Sequence, residues 1–368
     1  MAYFDYSATT PCDLEVSRAL SEADRNYYAN PNASHALGRE TRVFIDCCIE
    51  SIQQCLGLID AEIIFTGGAS ESNNLAIKGL AALYPLKKHM ISSQIEHSSV
   101  ISPLTYLMKQ GYDIDFVELD EHGRYDLQAL RKLLREDTLL VSLVAVDSET
   151  GIRQPVEEAA RIVKQQGIVF HCDATQALGK CDIDLNEFDL SSFSIHKFYG
   201  PKGIGGLVRR KGLELSPLIH GGKSLTNARS GTPAASFVAA AAKAFELFVP
   251  VDKERIERVA GINRRIREAL SGVPNIAFNS NEFGIPQILS LSVIKKDSDT
   301  MVDQLSEQGI YLSARSACSG REGFSKSVFA ITKDNARATS SLRVSLSHLT
   351  TDAEVGLLLE ALKRLALD

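Results

Sequence analysis

Short apolar runs alternate with helix-length stretches through the first two-thirds of this 368-residue chain, and that alternation narrows its fold more than any other feature. Ile63 to Thr66, Met90 to Ser93, Leu139 to Val146 and Ile168 to Cys172 are short and almost continuously apolar, so they read as strands buried on both faces. Between them lie stretches such as Val156 to Gln166, whose apolar residues return with the period of a helix. Repeated strand, helix and strand predicts βαβ units: an α/β fold with a mostly parallel sheet covered on both faces.

Beyond about Pro250 the texture changes. A charged helical stretch, Asp252 to Leu270, leads to a shorter strand at Ile288 to Val293 and a final amphipathic helix, Asp352 to Leu365. A chain of this length exceeds the usual single core, so a large domain followed by a smaller α+β domain is expected.

Charge narrows the partners. The net charge is −6 and the Lys and Arg residues are dispersed, so no basic footprint for a nucleic-acid backbone exists and direct nucleic-acid binding is not expected. Met1 to Asp5 carries neither the basic nor the apolar region of a secretory signal, and no apolar run is long enough for a bilayer; the expectation is a cytoplasmic protein without membrane contact. The seven cysteines are scattered and lack paired CxxC spacing, so no metal is expected, and most read as small buried apolar side chains.

Three motifs carry chemistry. Phe65 to Asn74 is a Gly-rich turn between a strand and a helical pattern running to Leu83, where backbone amides could meet a phosphate; equally, it could be a plain connection capped by Ser70 or Ser72. Asp173, in His171-Cys172-Asp173-Ala174-Thr175-Gln176, stands at the end of an apolar strand, where ligands bind in open α/β sheets; it serves there as a partner for a protonated ring nitrogen or as a helix cap. Lys197 follows a short apolar strand, beside His196 and before Gly200-Pro201-Lys202-Gly203. A desolvated lysine suits a Schiff base, whereas a solitary lysine is ordinarily a solvated one.

Taken with Asp5 to Pro11, Asn30 to His35, Leu75 to Gly79, Glu96-His97, Glu149-Thr150-Gly151, His220-Gly221-Gly222, Arg229 to Thr232, Ser316-Ala317-Cys318 and Ser340 to Arg343, these motifs resemble, in order and nearly end to end, the pyridoxal phosphate-dependent cysteine desulfurases of the class V aminotransferase group. The resemblance implies fold type I, with residues 1–13 packing on the small domain, 14–253 as the large cofactor-binding domain, and 254–368 as the small domain carrying the catalytic cysteine loop. It implies that Lys197 carries pyridoxal 5'-phosphate, Asp173 pairs with its ring nitrogen, His97 stacks on the ring and Gln176 donates to its phenolate oxygen. The phosphate falls to Ala69, Ser70, Ser194 and His196, with Thr232 reaching in from the other subunit of a homodimer. Arg343 takes the substrate carboxylate, and Asn32, Ala8 and Thr9 lie near the substrate.

The implied reaction converts L-cysteine to L-alanine, with Cys318 taking the sulfur as a persulfide and passing it to an acceptor protein. The sequence given ends with its last helical segment, and the acceptor is left open between iron–sulfur cluster assembly and a specialised thiolation such as nucleic-acid sulfur modification. Other readings are a lyase of the same fold, acting on selenocysteine, cysteine or cystine, and an altered homologue that serves as a binding partner. Ser313 to Ser327, with Gly320 and Gly323 and few apolar residues, is expected to be an exposed, mobile loop. Three positions depart from the family pattern: Asp147-Ser148 stands where relatives commonly carry Asn-Asn, Ile195 replaces a small residue, and Ser224-Leu225 replaces Gln-Glu. Ser148 is the candidate to remake the hydrogen bond on the phenolate side.

Overall fold

The computed structural model describes residues 1–315 and 323–367. Its strands are β1 (Ala2–Tyr3), β2 (Ala61–Thr66), β3 (His89–Ser92), β4 (Asp113–Phe116), β5 (Thr138–Val144), β6 (Val169–Asp173), β7 (Leu190–Ser194), β8 (Gly205–Arg210), β9 (Ile276–Phe278), β10 (Ile288–Val293), β11 (Ile310–Tyr311) and β12 (Ser341–Ser345).

Seven of them form the central sheet in the order β2-β8-β7-β6-β5-β3-β4. It is parallel except at β8, which runs antiparallel to both β2 and β7. All seven residues of β5 are buried, which is why its sequence is largely apolar rather than alternating. Helix Val156–Lys164 shows how the faces are covered: Val156, Ala159, Ala160 and Val163 are buried on the sheet while Glu158 and Arg161 face water. The expected helix after the Gly-rich turn begins earlier than its apolar period suggests, at Ala69, because Ser70 to Asn73 form its first turn.

A second apolar cluster gathers around the antiparallel sheet β12-β10-β9, with helices Lys253–Leu270 and Asp352–Leu367. Ala2 and Phe4 belong to this cluster and are fully buried. β1 lies parallel to β11, and the Phe4 carbonyl accepts from Ser345 N–H at 2.8 Å. The chain's first residues are therefore packed against its last third.

Two expectations need correction. The stretch Ser313 to Ser327 is not an exposed loop at its described ends: Ala314, Arg315, Ser325 and Ser327 are buried. Their polar groups are satisfied inside. Arg315 donates to Asp299 at 2.5 Å, Ser325 donates to Glu149 at 2.5 Å and caps helix Lys326–Thr332, and Ser327 donates to Asp147 at 2.9 Å. Cys318 itself lies outside the described residues. Of the six described cysteines, Cys48 and Cys172 are buried, but Cys12 and Cys47 are exposed, so scattered position alone did not imply burial.

The departures also find physical accounts. Ile195 is fully buried and packs in the main core, where Gly200 leaves it room. Ser224 donates to the Gly231 carbonyl at 2.5 Å, and Leu225 packs half-buried against the cluster holding Val238 and Ala239. Among the described residues, no helix is long and apolar enough to cross a membrane.

Candidate active site

A cavity of about 170 Å³ opens beyond the carboxyl ends of β5, β6 and β7. Around it the structure brings together Lys197, Asp173, His97, Gln176, Ala69, Ser70, Ser148, Ser194, His196, Ala8 and Arg343. Two predicted site residues lie elsewhere in this single chain. Asn32 is exposed and its amide donates to the Lys223 carbonyl at 3.4 Å; Thr232 is exposed and lines a separate hollow of about 290 Å³ with Arg229. Thr9 stands behind the wall, its hydroxyl 3.2 Å from His196 Nδ1.

One end of the cavity is built for an anion. Gly68 precedes helix Ala69–Leu83 with φ of 149°, and a side chain there would press on Ser194 Oγ, so glycine suits the place. Gly68 offers no side chain to cap the helix, and the helix's first residues, Ala69 and Ser70, border the cavity with the partial positive charge of its N-terminus. Ala69 N–H donates to Ser194 Oγ at 2.7 Å, holding that hydroxyl at the rim. Burial, and then the neighbouring charge of Lys197, pull the His196 ring down to about 4, so it is neutral at pH 7.

Asp173 ends β6, only 3% exposed. It accepts from Thr175 N–H at 3.0 Å and from Asn73 Nδ2 at 2.8 Å. Both donors are neutral, and a carboxylate so buried needs a cation to offset its lost hydration. His97 caps helix Ser98–Met108 by accepting Ser99 N–H on Nδ1 at 3.1 Å, which places the proton of the neutral ring on Nε2. Burial lowers its pKa below the ordinary imidazole value, favouring that neutral form.

Lys197 Nζ donates to the Ser7 and Ala8 carbonyls at 2.7 and 2.9 Å, so the amine is held by backbone of the N-terminal segment. Arg343, 1% exposed, donates to Asp5 at 2.8 Å and to the Ser148 carbonyl at 3.0 Å. Asp147 turns away from the cavity instead, accepting from Thr150 and Ser327. Among the described residues, Thr175 Oγ1 and Arg343 Nε, both on residues that line the cavity, are buried without a partner inside the chain. Unpaired groups of this kind await a polar ligand. A ring bearing a protonated nitrogen at one edge and a phosphate at another matches the buried carboxylate and the helix N-terminus together.

Motif reading assigned no role to Asn73, Lys180 or the Ser7 carbonyl. The first two lie in or beside quoted motifs, but a neutral amide, a single lysine and a backbone oxygen have no signature of their own.

The family model described as Aminotransferase class-V matches residues 2–358. The chain is 37% identical over 370 residues to the cysteine desulfurase IscS of Dictyoglomus turgidum, covering 99% of this chain and 94% of that one. Among solved structures, it matches a NifS-like protein with a TM-score of 0.91 at 34% identity, covering 99% of each chain. It is also similar to a structure of SspA in complex with cysteine, with a TM-score of 0.83 at 32% identity over 95% of this chain and 100% of that one.

Proposed function

This chain belongs to the class V aminotransferase family, among its pyridoxal phosphate-dependent cysteine desulfurases, and from that membership we propose that Lys197 holds the cofactor, Asp173 meets its ring nitrogen and Cys318 accepts the sulfur of L-cysteine. The observation that carries the reading is the meeting of the Lys197 amine and the buried Asp173 carboxylate on one cavity.

When bound, pyridoxal phosphate supplies an electron sink for the bonds broken on the substrate. Asp173 keeps a proton on the ring nitrogen, and the Ala69 helix terminus with Ser70, Ser194 and His196 holds the phosphate. Gln176 and Ser148 face the phenolic side, and the neutral His97 ring offers a flat face without a competing charge. Lys197 Nζ moves the proton at the substrate's Cα. Arg343 receives the substrate carboxylate, for which a guanidinium fork is better shaped than an ammonium. Ala8 and Thr9 border the substrate, and Asn32 joins them from its loop.

At Cys318 the thiolate attacks the substrate sulfur: the substrate's Cβ–S bond breaks, a sulfur–sulfur bond forms on Cys318, and the carbon takes a proton to leave as alanine. A thiol of ordinary pKa is only about 3% ionised at pH 7, which handicaps the attack by about 2 kcal/mol. The related structure solved with cysteine supports L-cysteine as the substrate.

The working enzyme is a cytoplasmic homodimer in which Thr232 serves the phosphate site of the partner copy, and its persulfide passes to an acceptor protein. Its domains divide at about residues 13 and 253, with Cys318 on the smaller one. Incubation with L-cysteine without reductant, followed by intact and peptide mass measurement, tests the reading. One added sulfur located at Cys318, with alanine formed, supports it; alanine formed at the wild-type rate by Cys318→Ala without external thiol overturns the cysteine's role.

A further inference from the structure

Lys180 is only 8% exposed, yet the reaction as described makes no use of it. Lysines are buried this deeply only when something holds the amine. Here the holder is Gln176: Lys180 Nζ donates to Gln176 Oε1 at 2.5 Å. The other end of that amide, Nε2, donates to the Ser7 carbonyl at 3.0 Å, and the same carbonyl accepts from Lys197 Nζ at 2.7 Å. Gln176 borders the cofactor cavity. Lys180 instead borders a second, smaller void of about 40 Å³, which it shares with Lys197, Tyr6 and Gln287.

We propose that Lys180 is a positioning residue of the cofactor site: by occupying the amide oxygen of Gln176, it fixes that amide so that only N–H can be presented to the cavity. The inference rests on the reading of Lys197 and Gln176 given above. A glutamine amide can turn by half a rotation and exchange its oxygen for its nitrogen at little cost when its surroundings are indifferent. A donor on one side and a carbonyl on the other leave a single arrangement. One Nε2 hydrogen goes to Ser7, and the second remains for an acceptor in the cavity.

Burial, and next the charge of Lys197, bring Lys180 down to about 7. An amine donates a hydrogen bond in either protonation state, so the orientation holds on both sides of neutrality. The other charged or titratable groups acting on Lys180 are Cys181 and Arg343, and its void is also bordered by Tyr199, Arg255 and His348. The backbone is fixed as well, since Lys180 O accepts from Gln287 Nε2 at 3.3 Å.

The test is a pH titration of the visible absorption of the enzyme loaded with pyridoxal phosphate, compared among wild type, Lys180→Met, Gln176→Leu and the double variant. Loss of an oriented donor to the phenolic oxygen favours the protonated form of the bound cofactor. Lys180→Met is therefore expected to raise the titration midpoint by about one pH unit, tenfold in proton affinity. The double variant is expected to titrate like Gln176→Leu alone. A midpoint unmoved in Lys180→Met, or shifts that simply add in the double variant, would overturn the assignment. Lys180→Arg keeps a donor in place and is expected to titrate like wild type, whether or not Lys180→Met folds; a midpoint displaced as far as that of Gln176→Leu also overturns it. If wild type itself develops no visible band, the cofactor reading fails, an outcome distinct from a band that titrates identically in all variants.

Discussion

Asn73 holds the carboxylate of Asp173: its Nδ2 donates to Asp173 Oδ2 at 2.8 Å and, with its other hydrogen, to Ser99 Oγ at 2.8 Å. Ser99 in turn lies 2.8 Å from His97 Nδ1, so one buried amide links two groups that line the cavity. Both contacts rest on the first turn of helix Ala69–Leu83.

Asn73→Leu removes that amide while filling the same space. Asp173 keeps only the Thr175 N–H donor, and a buried carboxylate short of a donor costs about 1–3 kcal/mol. Lower thermal stability and loss of pyridoxal phosphate during dialysis are expected. A variant that melts and retains cofactor as wild type does would contradict the account.

Arg343→Lys puts one nitrogen where two now serve Asp5 and the Ser148 carbonyl. An ammonium cannot keep both anchors and also present a planar fork to a carboxylate. KM for cysteine should rise about tenfold to a hundredfold, on the order of 1–3 kcal/mol, with kcat less affected. Steady-state alanine formation measures this, and an unchanged KM would remove Arg343 from the substrate site.

Gly200→Ala should be among the most damaging single changes. A Cβ there would fall 1.9 Å from Ile195 Cγ2, and Ile195 is fully buried and cannot move aside. Ile195→Ala costs about 2–5 kcal/mol by itself, yet it clears that overlap, so the two changes should interact strongly. Denaturant midpoints of the two singles and the double give the coupling; additive losses would show that no clash exists.

Glu96 provides a pH test. It accepts Ser93 Oγ–H at 2.6 Å, Tyr125 O–H at 3.0 Å and Val144 N–H at 2.9 Å, but burial outweighs these donors and raises its pKa to about 8 from the ordinary 4.5. Between those values the unfolded chain has released the proton that the folded chain retains. Stability from this group is therefore full below about pH 4.5 and falls as pH rises towards about 8. Glu96→Gln should flatten that part of the curve. Melting temperatures of both proteins from pH 5 to 8 check it, and parallel curves would exclude the effect.

Strands such as Ala61–Thr66 and Thr138–Val144 were legible because burial on both faces leaves a largely apolar run. Lys197, Asp173 and the Gly68 turn were legible because strand ends and glycines mark where a parallel sheet opens towards ligands. Asn32 and Thr232 carried a motif, yet within one chain both stand away from the cavity, because a motif names a residue's type and order but not its place in the fold. At the described ends of the Ser313 to Ser327 stretch polar composition misled when read as exposure, since Ser325 and Ser327 bond to the buried carboxylates of Glu149 and Asp147. Ile195 was noticed as a departure; its accommodation by Gly200 could be seen only once the two were folded together.

Ser7 and Ala8 form part of one wall of the cavity, and the segment that carries them is pinned by strands that come much later: Ala2 by β11, Phe4 and Asp5 by β12. A ribosome delivers this wall first and its anchors more than three hundred residues later. Until β12 has emerged, a nascent chain has neither Arg343 nor a fixed Ser7 carbonyl to hold the Lys197 amine, however completely the central sheet has formed. Stable loading of the cofactor thus waits for β12, and a truncation after Lys197 but before β12 would empty a pocket whose lysine it never touched.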